Sequence, residues 1–536
     1  MGPPAFRCIP RDATRPDGAR GQASVRNRGA LGAPIPLMRI LSPVPGLGGS
    51  LPADTLTRVE EDPMGTAQAT RAEDTRNAWK DVLAKHHEDR SEPVSEQYWS
   101  EKDTWSRDRI REVQDEKIAA VAPFLYENSR FYRNRFDRLG VAPTDVADVD
   151  SMVRNWPVVT KDEMMADAEA HPPYGTYTTC GEDEWNDRGW MLFSSSGSTG
   201  TPRVFRYTHF DREYWEQANA RALYSGGLRK GDSALRMVGF GPHVFAWGAQ
   251  QSFTKLGLPT IPAGGLDSKA RVGMIDRFQP RVLIATPSYL LYLGRTMQEM
   301  GLDPAKSSVR WLLQGGEPFS GVAGTLERIQ ELWGAKTVEF YGCTEAAPHC
   351  GGYSCPEYEA GDERFLHLME DIQVWETIDP VTQDVMPDGE KGITVCTNLN
   401  SESSAQLRFV VGDYTRLSRE ACACGRSHIK AMGCMTGRAD DLINLRGIKF
   451  FPVQIEEAVR AVSGTGDEFQ IRLSTLDSGL DVMTVVVEHT DSAAGEAVAS
   501  EVRTRCEIRA DVEVVAPDTL PKTEMKAKRV VDQRGK

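Results

Sequence analysis

Four short stretches decide the fold: SALRMVGF at residues 233–240, RVLIATP at 281–287, SVRWLLQGG at 308–316 and KTVEFYG at 336–342. They are rich in β-branched and other apolar residues, a composition typical of buried strands, and segments with helical periodicity separate them. Glycines and turn residues are concentrated at the strand ends, where open sheets bind their ligands. This alternation of strands and helices predicts an α/β fold.

The regions on either side extend this prediction. From Thr75 to Leu139 the pattern is helical, and apolar residues between Asp108 and Tyr132 indicate one buried helix face. Pro123 predicts a kink or break in that helix. Residues 452–536 predict a compact α+β unit with the order helix, strand, strand, helix, strand. We therefore expect a large multi-layer α/β N-terminal domain and a small α+β C-terminal domain that begins near Gly437.

Composition excludes several classes of protein. The chain has 536 residues, of which 40% are apolar, and this content excludes global disorder. Its formal charge of −14 argues against nucleic acid or an anionic membrane surface as a partner. No apolar stretch approaches the roughly 18 residues of a membrane span. Ten cysteines in so long a chain do not make a disulfide scaffold, and we expect a cytoplasmic protein.

The N-terminal segment differs from the rest. Residues 1–50 contain seven arginines, no lysine, and recurrent glycine and proline, which predicts disorder. Two interpretations of residues 1–63 stay open. The segment is either a basic, transit-like leader or a stretch upstream of a natural start at Met64, where globular composition begins.

The first segment that carries chemistry is FSSSGSTGTPR at 193–203, which follows the short apolar run WMLF. Glycines allow the backbone to approach a phosphate closely, and hydroxyl and amide groups donate to its oxygens. The spacing is not that of a Walker loop. By itself such a segment is also compatible with a flexible linker.

Six segments together resemble the adenylate-forming superfamily of acyl-CoA synthetases, luciferases and peptide-synthetase adenylation domains, and within it the phenylacetate–CoA ligases. They occur in that family's order from about residue 95 to the C-terminus. They are SSGSTGTPR (195–203), GGEP (315–318), YGCTE (341–345), VGDYTRL (411–417), GRADDLINLRGIKFFPVQIEE (437–457) and LPKTEMKAKR (520–529).

The resemblance implies a nucleotide site. Glu345 would coordinate Mg²⁺, Thr344 would contact the α-phosphate, and Lys526 would reach the α-phosphate and the carboxylate of the acid. Asp413 would accept hydrogen bonds from the ribose hydroxyls, and Arg438 would contact the nucleotide nearby. The other implied nucleotide-binding residues are Ser195, Ser196, Gly197, Ser198, Thr199, Gly200, Gly315, Gly316, Glu317, Pro318, Tyr341 and Gly342.

Two residues depart from the family's pattern, and one marks a hinge. Met525 stands before Lys526 where the family usually has glycine, and Arg203 stands where many relatives carry lysine. Asp440 matches the hinge about which the C-terminal domain of such enzymes rotates between two half-reactions. The resemblance therefore implies that this domain is a mobile lid, residues 437–536, on a body of residues 64–436.

The cysteines predict a metal site. In phenylacetate–CoA ligase relatives, a similar Cys-x-Cys-Gly segment pairs with an upstream cysteine and histidine. This mapping gives Cys355, His367, Cys422 and Cys424, a set that suits a tetrahedral structural Zn²⁺. Free thiols are the alternative, and Cys350 or His428 remain open as substitute ligands.

The acid-binding pocket is indicated by GFGPHVFAWG at 239–248. By resemblance, Phe240, His243, Phe245 and Trp247 would line a slot for a flat aromatic acid, although each ring is also compatible with the ordinary core.

The resulting expectation is an ATP- and Mg²⁺-dependent ligase that adenylates an aryl or arylacetic acid, releases pyrophosphate and transfers the acyl group to coenzyme A. Alternative acceptors are a carrier protein or an amine, and ATP-dependent activation of a non-acyl group such as nitrite toward an aryl amine is a further alternative. A catalytically inactive, zinc-stabilised scaffold is the rival from another class. Which acid is used, and whether the protein is a homodimer, are left open by the sequence.

Overall fold

The protein is described by a computed structural model in which residues Glu61–Lys536 belong to one unit. The described ranges are 63–195, 203–317, 322, 324–360, 363–446, 448–476, 480–522 and 529–534, without the side chains of 63–66 and 349. The predicted leader, residues 1–63, lies outside them except for the backbone of Pro63.

The strands fall into four sheets of eleven, four, two and two strands. In chain order they are β1 Gly189–Ser194, β2 Val204–Thr208, β3 Ala234–Arg236, β4 Thr260–Pro262, β5 Val282–Ala285, β6 Trp311–Gln314, β7 Lys336–Cys343, β8 Ala347–Tyr353, β9 Phe365–Leu368, β10 Gln373–Ile378, β11 Lys391–Asn398, β12 Gln406–Ser418, β13 Lys430–Met432, β14 Ile443–Leu445, β15 Ile448–Phe450, β16 Phe469–Thr475, β17 Asp481–Glu488, β18 Asp511–Val515 and β19 Val530–Asp532.

Thirteen α-helices lie in the described part of the chain. They are α1 Pro63–Lys85, α2 Arg107–Asn128, α3 Arg130–Leu139, α4 Val149–Asn155, α5 Lys161–Ala170, α6 Glu182–Arg188, α7 His209–Ser225, α8 Val244–Leu256, α9 Ser268–Phe278, α10 Pro287–Glu299, α11 Thr325–Trp333, α12 Pro452–Ala461 and α13 Ala494–Cys506. None of the helices seen in these ranges is long and apolar enough to cross a membrane.

The eleven-stranded sheet has a parallel half and an antiparallel half. Its order is β10-β11-β12-β13-β9-β8-β7-β6-β5-β3-β4. Strands β3 to β7 pair in parallel, and β7 pairs antiparallel with β8, where the second half begins. The four stretches that predict the fold contain β3, β5, β6 and β7, so the α/β prediction is confirmed.

Helices cover both faces of the parallel half. Leu283 of β5 belongs to a core shared with α9, α10 and α11. Its neighbours Val282 and Ile284 belong to a second core shared with α7 and α8. Because successive residues of a strand point to opposite faces, the buried run requires two helical layers. The parallel half is therefore a three-layer structure in which the carboxyl ends of the parallel strands share one edge.

The helical prediction for residues 75–139 is only partly correct. Helix α1 ends at Lys85, and the chain is not α-helical again until Arg107. Pro123 lies inside α2 without ending it. The break comes at Ser129, whose side chain accepts a hydrogen bond from the backbone N–H of Tyr132 and so caps α3.

The C-terminal unit, which comprises residues 443–534, has its own core. Strands β18-β17-β16-β19 form its sheet, and α12 and α13 pack on it. The predicted order of helix, strand, strand, helix and strand is observed. Strand β19 was not predicted. We call residues 63–436 the body; the boundary near Gly437 stays a prediction.

Candidate functional site

A hairpin carries the serine- and glycine-rich segment. Strands β1 and β2 are antiparallel, with Ser194 opposite Val204, so residues 195–203 connect them at one end. The backbone N–H of Ser195 donates to the carbonyl of Arg203 at 2.9 Å and closes the base of this connection. The buried hydroxyl of Ser195 has no hydrogen-bond partner among the described residues.

The end of β7 contacts this hairpin through two residues. Nη2 of Arg203 lies 2.6 Å from Oε1 of Glu345, and both side chains are about nine-tenths buried. The hydroxyl of Tyr207 donates to the carbonyl oxygen of Thr344. Sequence comparison singled out Arg203 only as a departure from lysine, whereas the structure pairs it with the predicted magnesium ligand. Tyr207 was not predicted, because nothing in its local sequence distinguishes it from a core tyrosine.

Asp413 lies between Tyr341 and Arg438. The Tyr341 hydroxyl donates to Oδ2 of Asp413 at 2.5 Å, and Nη1 of Arg438 lies 3.5 Å from Oδ1. Burial raises the pKa of Asp413, while Arg438 and the Tyr341 hydrogen bond oppose that shift. The structure therefore brings three sequence-predicted nucleotide residues together, from positions 341, 413 and 438.

The turn after β6 has the backbone geometry expected of a close-contact site. A Cβ at Gly315 would lie 2.8 Å from the carbonyl oxygen of Phe340, and Gly316 has φ +84°. Both positions therefore favour glycine. The Glu317 carboxylate accepts hydrogen bonds from the backbone N–H and the hydroxyl of Ser288 at the start of α10. The ends of β5 and β6 are thus tied together beside the turn.

The predicted hinge residue is held by two cations. Nε of Arg438 donates to Oδ1 of Asp440 at 2.9 Å, and Nζ of Lys161 donates to Oδ2 at 3.1 Å. These hydrogen bonds and charges hold the pKa of Asp440 well below its usual range, against the effect of burial. Lys161 is the first residue of α5 and was missed, since no sequence signal links it to residue 440.

The predicted acid-pocket residues form an aromatic group beside the hairpin. Phe240 and Trp247 have ring centroids 4.1 Å apart, and 45% of the Phe240 side chain is exposed. Nδ1 of His243 lies 3.3 Å from the carbonyl oxygen of Ser194. Phe245 packs instead against Phe340 and next to Gly315, so it bridges to the β6 turn.

The four predicted metal ligands converge. One ligand atom each from Cys355, His367, Cys422 and Cys424 lies within 4.8 Å of all the others. Nδ1 of His367 lies 2.8 Å from the carbonyl oxygen of His428, which directs Nε2 toward the thiols, 3.4 Å from Sγ of Cys424. Although burial opposes the shift, the neighbouring thiols raise the pKa of His367 to about 9. Four ligand atoms in one cluster are the number that a tetrahedral metal site requires.

The two substitute ligands considered from sequence lie elsewhere. The Cys350 thiol donates to the carbonyl oxygen of Gly352, and the His428 ring contacts the Tyr353 hydroxyl through Nδ1 at 3.1 Å. Neither belongs to the convergent group.

Seven predicted site residues fall outside the described part of the chain, and their roles stay predictions. They are Ser196, Gly197, Ser198, Thr199, Gly200, Pro318 and Lys526. The roles assigned to the described residues are also predictions.

Comparison with known proteins gives consistent matches over most of the chain. The AMP-binding enzyme family matches residues 137–397, and the AMP-binding enzyme C-terminal domain matches 447–534. The phenylacetate-coenzyme A ligase of Pseudomonas putida is 31% identical over 443 residues, which cover 81% of this chain and 96% of the relative. The phenylacetate-coenzyme A ligase of Thermus thermophilus is 28% identical over 459 residues, covering 82% and 99%.

A solved structure resembles the chain in one state more than in another. 2-Hydroxyisobutyryl-CoA ligase in the postadenylation state, bound to R3-HIB-AMP, has a TM-score of 0.76 at 27% identity, covering 83% of this chain and 95% of that one. The same ligase with 2-HIB-AMP and CoA in the thioesterification state scores 0.63 at 27% identity, covering 84% and 95%. By TM-score, this chain is thus more similar to the ligase in its postadenylation state than to the same ligase in its thioesterification state.

Proposed function

Because the chain belongs to the AMP-binding enzyme family, as an AMP-forming ligase of its phenylacetate–CoA ligase branch, we propose that its acid substrate is aromatic. The general reaction follows from the family: ATP and a carboxylic acid give an acyl-adenylate and pyrophosphate, and the acyl group then passes to coenzyme A. The identity of the acid, the roles of individual residues and the metal sites belong to the proposal.

The Phe240–Trp247 pair is the observation that carries the proposal. These rings lie on the segment that follows β3 and touch the hairpin through His243 and Ser194. A partly exposed pair of rings at the strand ends offers a flat apolar face, and such a face binds a ring better than it binds a short aliphatic chain.

The nucleotide roles follow from the chemistry of the side chains. Asp413, an acceptor, would bind the ribose hydroxyls, and Arg438 would support the negative charge beside it. Thr344 would contact the α-phosphate, while the Ser195 hydroxyl, which has no partner in the described ranges, would donate to a β- or γ-phosphate oxygen. Positioning and charge stabilisation are the main demands of this transfer.

Mg²⁺ fits the residues that are present. Mg²⁺ is commonly bound by one or two carboxylates together with substrate phosphates, and Glu345 supplies one such carboxylate next to the hairpin. The ion would neutralise charge on the phosphates. Glu345 would then exchange its contact with Arg203 for the metal, which leaves the guanidinium free to bind a phosphate oxygen.

Zn²⁺ fits the convergent cysteine and histidine group. Three thiolates and one imidazole suit a closed tetrahedral site, and the carbonyl of His428 fixes the His367 ring. The ion would join the segment after β8 to the segment between β12 and β13, which contains Cys422 and Cys424. Because Asp413 lies on β12, we infer that zinc stabilises the position of the ribose-binding strand.

Lys526 and Asp440 complete the proposal. Lys526 would stabilise charge at the adenylation transition state, and rotation of a mobile C-terminal lid about Asp440 would then expose the adenylate to coenzyme A. A carrier protein is the alternative acceptor of the acyl group, and the test below distinguishes it from coenzyme A.

The primary test is pyrophosphate release over a panel of aromatic and aliphatic acids, with and without coenzyme A, followed by mass spectrometry of the products. We expect release with aromatic acids and an aryl-CoA thioester when coenzyme A is present. Pyrophosphate without a thioester would indicate another acceptor. No pyrophosphate with any acid would overturn the proposal and favour a scaffold.

Two variants test the assigned roles. Lys526→Ala should lose adenylation while it still forms thioester from a supplied acyl-adenylate, and Lys269→Ala, a change at an exposed lysine, serves as its control.

Cys422→Ser should lose zinc relative to wild type. Fewer than about half a zinc ion per wild-type chain, measured by elemental analysis, would contradict the metal site.

A further inference from the structure

Arg236 is a buried cation with no carboxylate beside it in the part of the chain that the structure describes. Six of the nine arginines that are buried among the described residues have a carboxylate oxygen within 4 Å, but Arg236, 3% exposed, has none in these ranges. Its Nη1 donates to the carbonyl oxygen of Val238, and its buried Nε has no partner there. A guanidinium cannot neutralise itself by losing a proton, so an uncompensated buried one is costly.

A neighbouring buried arginine shows what a purely structural role looks like. Arg271 donates from Nε to the carbonyl of Ala263 at 3.1 Å and from Nη2 to the carbonyl of Met237 at 3.2 Å. Its donors therefore stabilise the backbone around β3 and β4. Arg236 has one such hydrogen bond, and burial alone accounts for the lowering of its pKa.

Strand register places Arg236 at the ligand edge of the sheet. Arg236 pairs with Ile284 of β5, and Ile284 pairs with Leu313 of β6, which leads into the Gly315 turn. Two strand spacings separate Arg236 from β6, roughly 10 Å. Arg236 of β3 and Leu313 of β6 both lie near the carboxyl ends of parallel strands, and such sheets bind ligands at this edge. The distance is of the order of a substituted aromatic ring.

The aromatic group holds this guanidinium in place. Its carbon Cζ lies 3.6 Å from the centroid of the Phe240 ring, whose other neighbour is Trp247 at 4.1 Å. Stacking uses the flat face of a guanidinium and leaves the N–H donors at its edge available. Nη2 of Arg236 makes no hydrogen bond to any described residue. The stack therefore presents a fixed cationic edge next to the predicted ring-binding slot.

We propose that Arg236 binds a second anionic oxygen group, such as a ring carboxylate, on the acid that the enzyme adenylates. The inference rests on the proposed function, and it narrows the substrate class from aromatic acids to aromatic acids that carry two acidic groups. The first carboxylate reacts with ATP, and the second stays intact as the recognition element.

The test compares kcat/KM for pyrophosphate release between phenylacetic or benzoic acid and their ring-carboxylated derivatives. We expect one carboxylated acid to be preferred over its parent by at least about 30-fold, the effect of completing a buried charge pair. An aliphatic pair, glutaric against butyric acid, is run in parallel. If only the aliphatic pair reacts and the diacid is preferred, the aromatic proposal fails while the inference about Arg236 holds.

Variants of Arg236 test whether this side chain causes the preference for diacids over their parent acids. Arg236→Met should reduce the diacid-to-parent ratio to near one, and Arg236→Lys should restore part of it because the charge is kept. Arg229→Met is the matched control, because Arg229 also stacks on a ring, 3.7 Å from Tyr224, and bonds to backbone carbonyls. It should leave the ratio unchanged.

Three results would overturn the inference: no diacid preference in wild type, a preference that survives Arg236→Met, or an effect of that variant confined to the KM of coenzyme A. The last would assign Arg236 to a phosphate of the acceptor. Since the measured quantity is a ratio between substrates, a general loss of folded enzyme does not imitate the expected result.

Discussion

A buried ion pair of the body and the ion pairs that join the body to the C-terminal unit differ in exposure. Within the body, the side chains of Arg221 and Asp371 are 5% and 2% exposed, and Nη2 and Oδ1 lie 2.5 Å apart. Across the junction, Arg295 and Asp467 are 45% and 11% exposed, with Nη2 2.9 Å from Oδ1. A second arginine, Arg328, lies 3.9 Å from the same oxygen.

This difference separates two physical roles. Water cannot replace the partner of a fully buried charge, so removing one member is costly. At a pair whose arginine is about half exposed, such as Arg295–Asp467, water and salt ions replace the lost partner of the arginine, and the net contribution is about 0–1 kcal/mol. The buried pairs of the body must therefore stay paired, while the ion pairs at the junction are more easily exchanged. Such an attachment suits a unit that changes position between two half-reactions.

The largest expected effect follows from breaking the buried pair. Asp371→Asn leaves Lys102 without the carboxylate beside it and leaves Arg221 with Asp103 alone, 3.5 Å from its Nε, and we expect the free energy of unfolding to fall by about 3–5 kcal/mol. Urea unfolding followed by circular dichroism measures this change. The control is Asp388→Asn, which removes an exposed partner of Arg419 and should cost less than about 1 kcal/mol. Equal losses in the two variants would contradict the comparison.

The next effect is a pH dependence of stability that originates in Lys117. Burial lowers the pKa of Lys117 to about 7, and its ammonium or amine donates to the carbonyl of Asp371 and to Asn400. In the unfolded chain the pKa returns to about 10.4, so between these values the unfolded state binds more protons and stability rises with pH. The slope is at most about 1.4 kcal/mol per pH unit.

Unfolding of wild type and Lys117→Met at pH 7 and pH 9 isolates this contribution. The stability of wild type relative to the variant should increase from pH 7 to pH 9. A difference that stays constant, or that decreases, would show that Lys117 remains protonated in the folded protein.

The sequence predicted those structural features that depend on a local residue pattern or on a series of motifs in a known order. Continuous apolar runs such as 281–287 predicted buried strands, because a strand covered on both faces leaves no polar positions. The convergence of Tyr341 with Asp413, and of Cys355 with Cys424, followed from motif resemblance. Neither contact is visible in local periodicity, since each joins segments about 70 residues apart.

The features that were missed depend on tertiary placement. Lys161 contacts Asp440 only because α5 packs beside residue 440, across 279 positions of sequence. Pro123 was expected to kink or break α2, because a proline removes one backbone hydrogen bond and crowds the preceding turn, but α2 continues to Asn128 and buries Phe124 and Leu125 beyond the proline. That Arg236 has no carboxylate beside it among the described residues depends on its neighbours in space, which local sequence does not give.

The smallest expected effect concerns the junction itself. Asp467→Asn keeps the shape of the side chain but removes the charge opposite Arg295 and Arg328. We expect the postadenylation-like arrangement to lose about 1 kcal/mol, so that the rate of adenylation relative to thioester formation from a supplied acyl-adenylate falls roughly fivefold. Stopped-flow measurement of the two half-reactions gives this ratio.

Salt and a matched variant make that prediction specific to the junction. Raising sodium chloride from about 0.05 M to about 0.5 M shortens the Debye length roughly threefold. This change should move the wild-type ratio toward that of Asp467→Asn and leave the variant nearly unaffected. Glu513→Gln removes a pair with Arg472 inside the C-terminal unit, at 3.0 Å, whose arginine is about as exposed as Arg295 (41% against 45%), and should leave the ratio unchanged. If Glu513→Gln shifts the ratio as much as Asp467→Asn does, the effect comes from the net charge of the C-terminal unit rather than from the ion pairs that attach it to the body.

A ratio insensitive to both Asp467→Asn and salt would mean that apolar contacts hold the C-terminal unit. The difference in exposure between the junction pairs and the buried pairs of the body would then have no bearing on the two half-reactions.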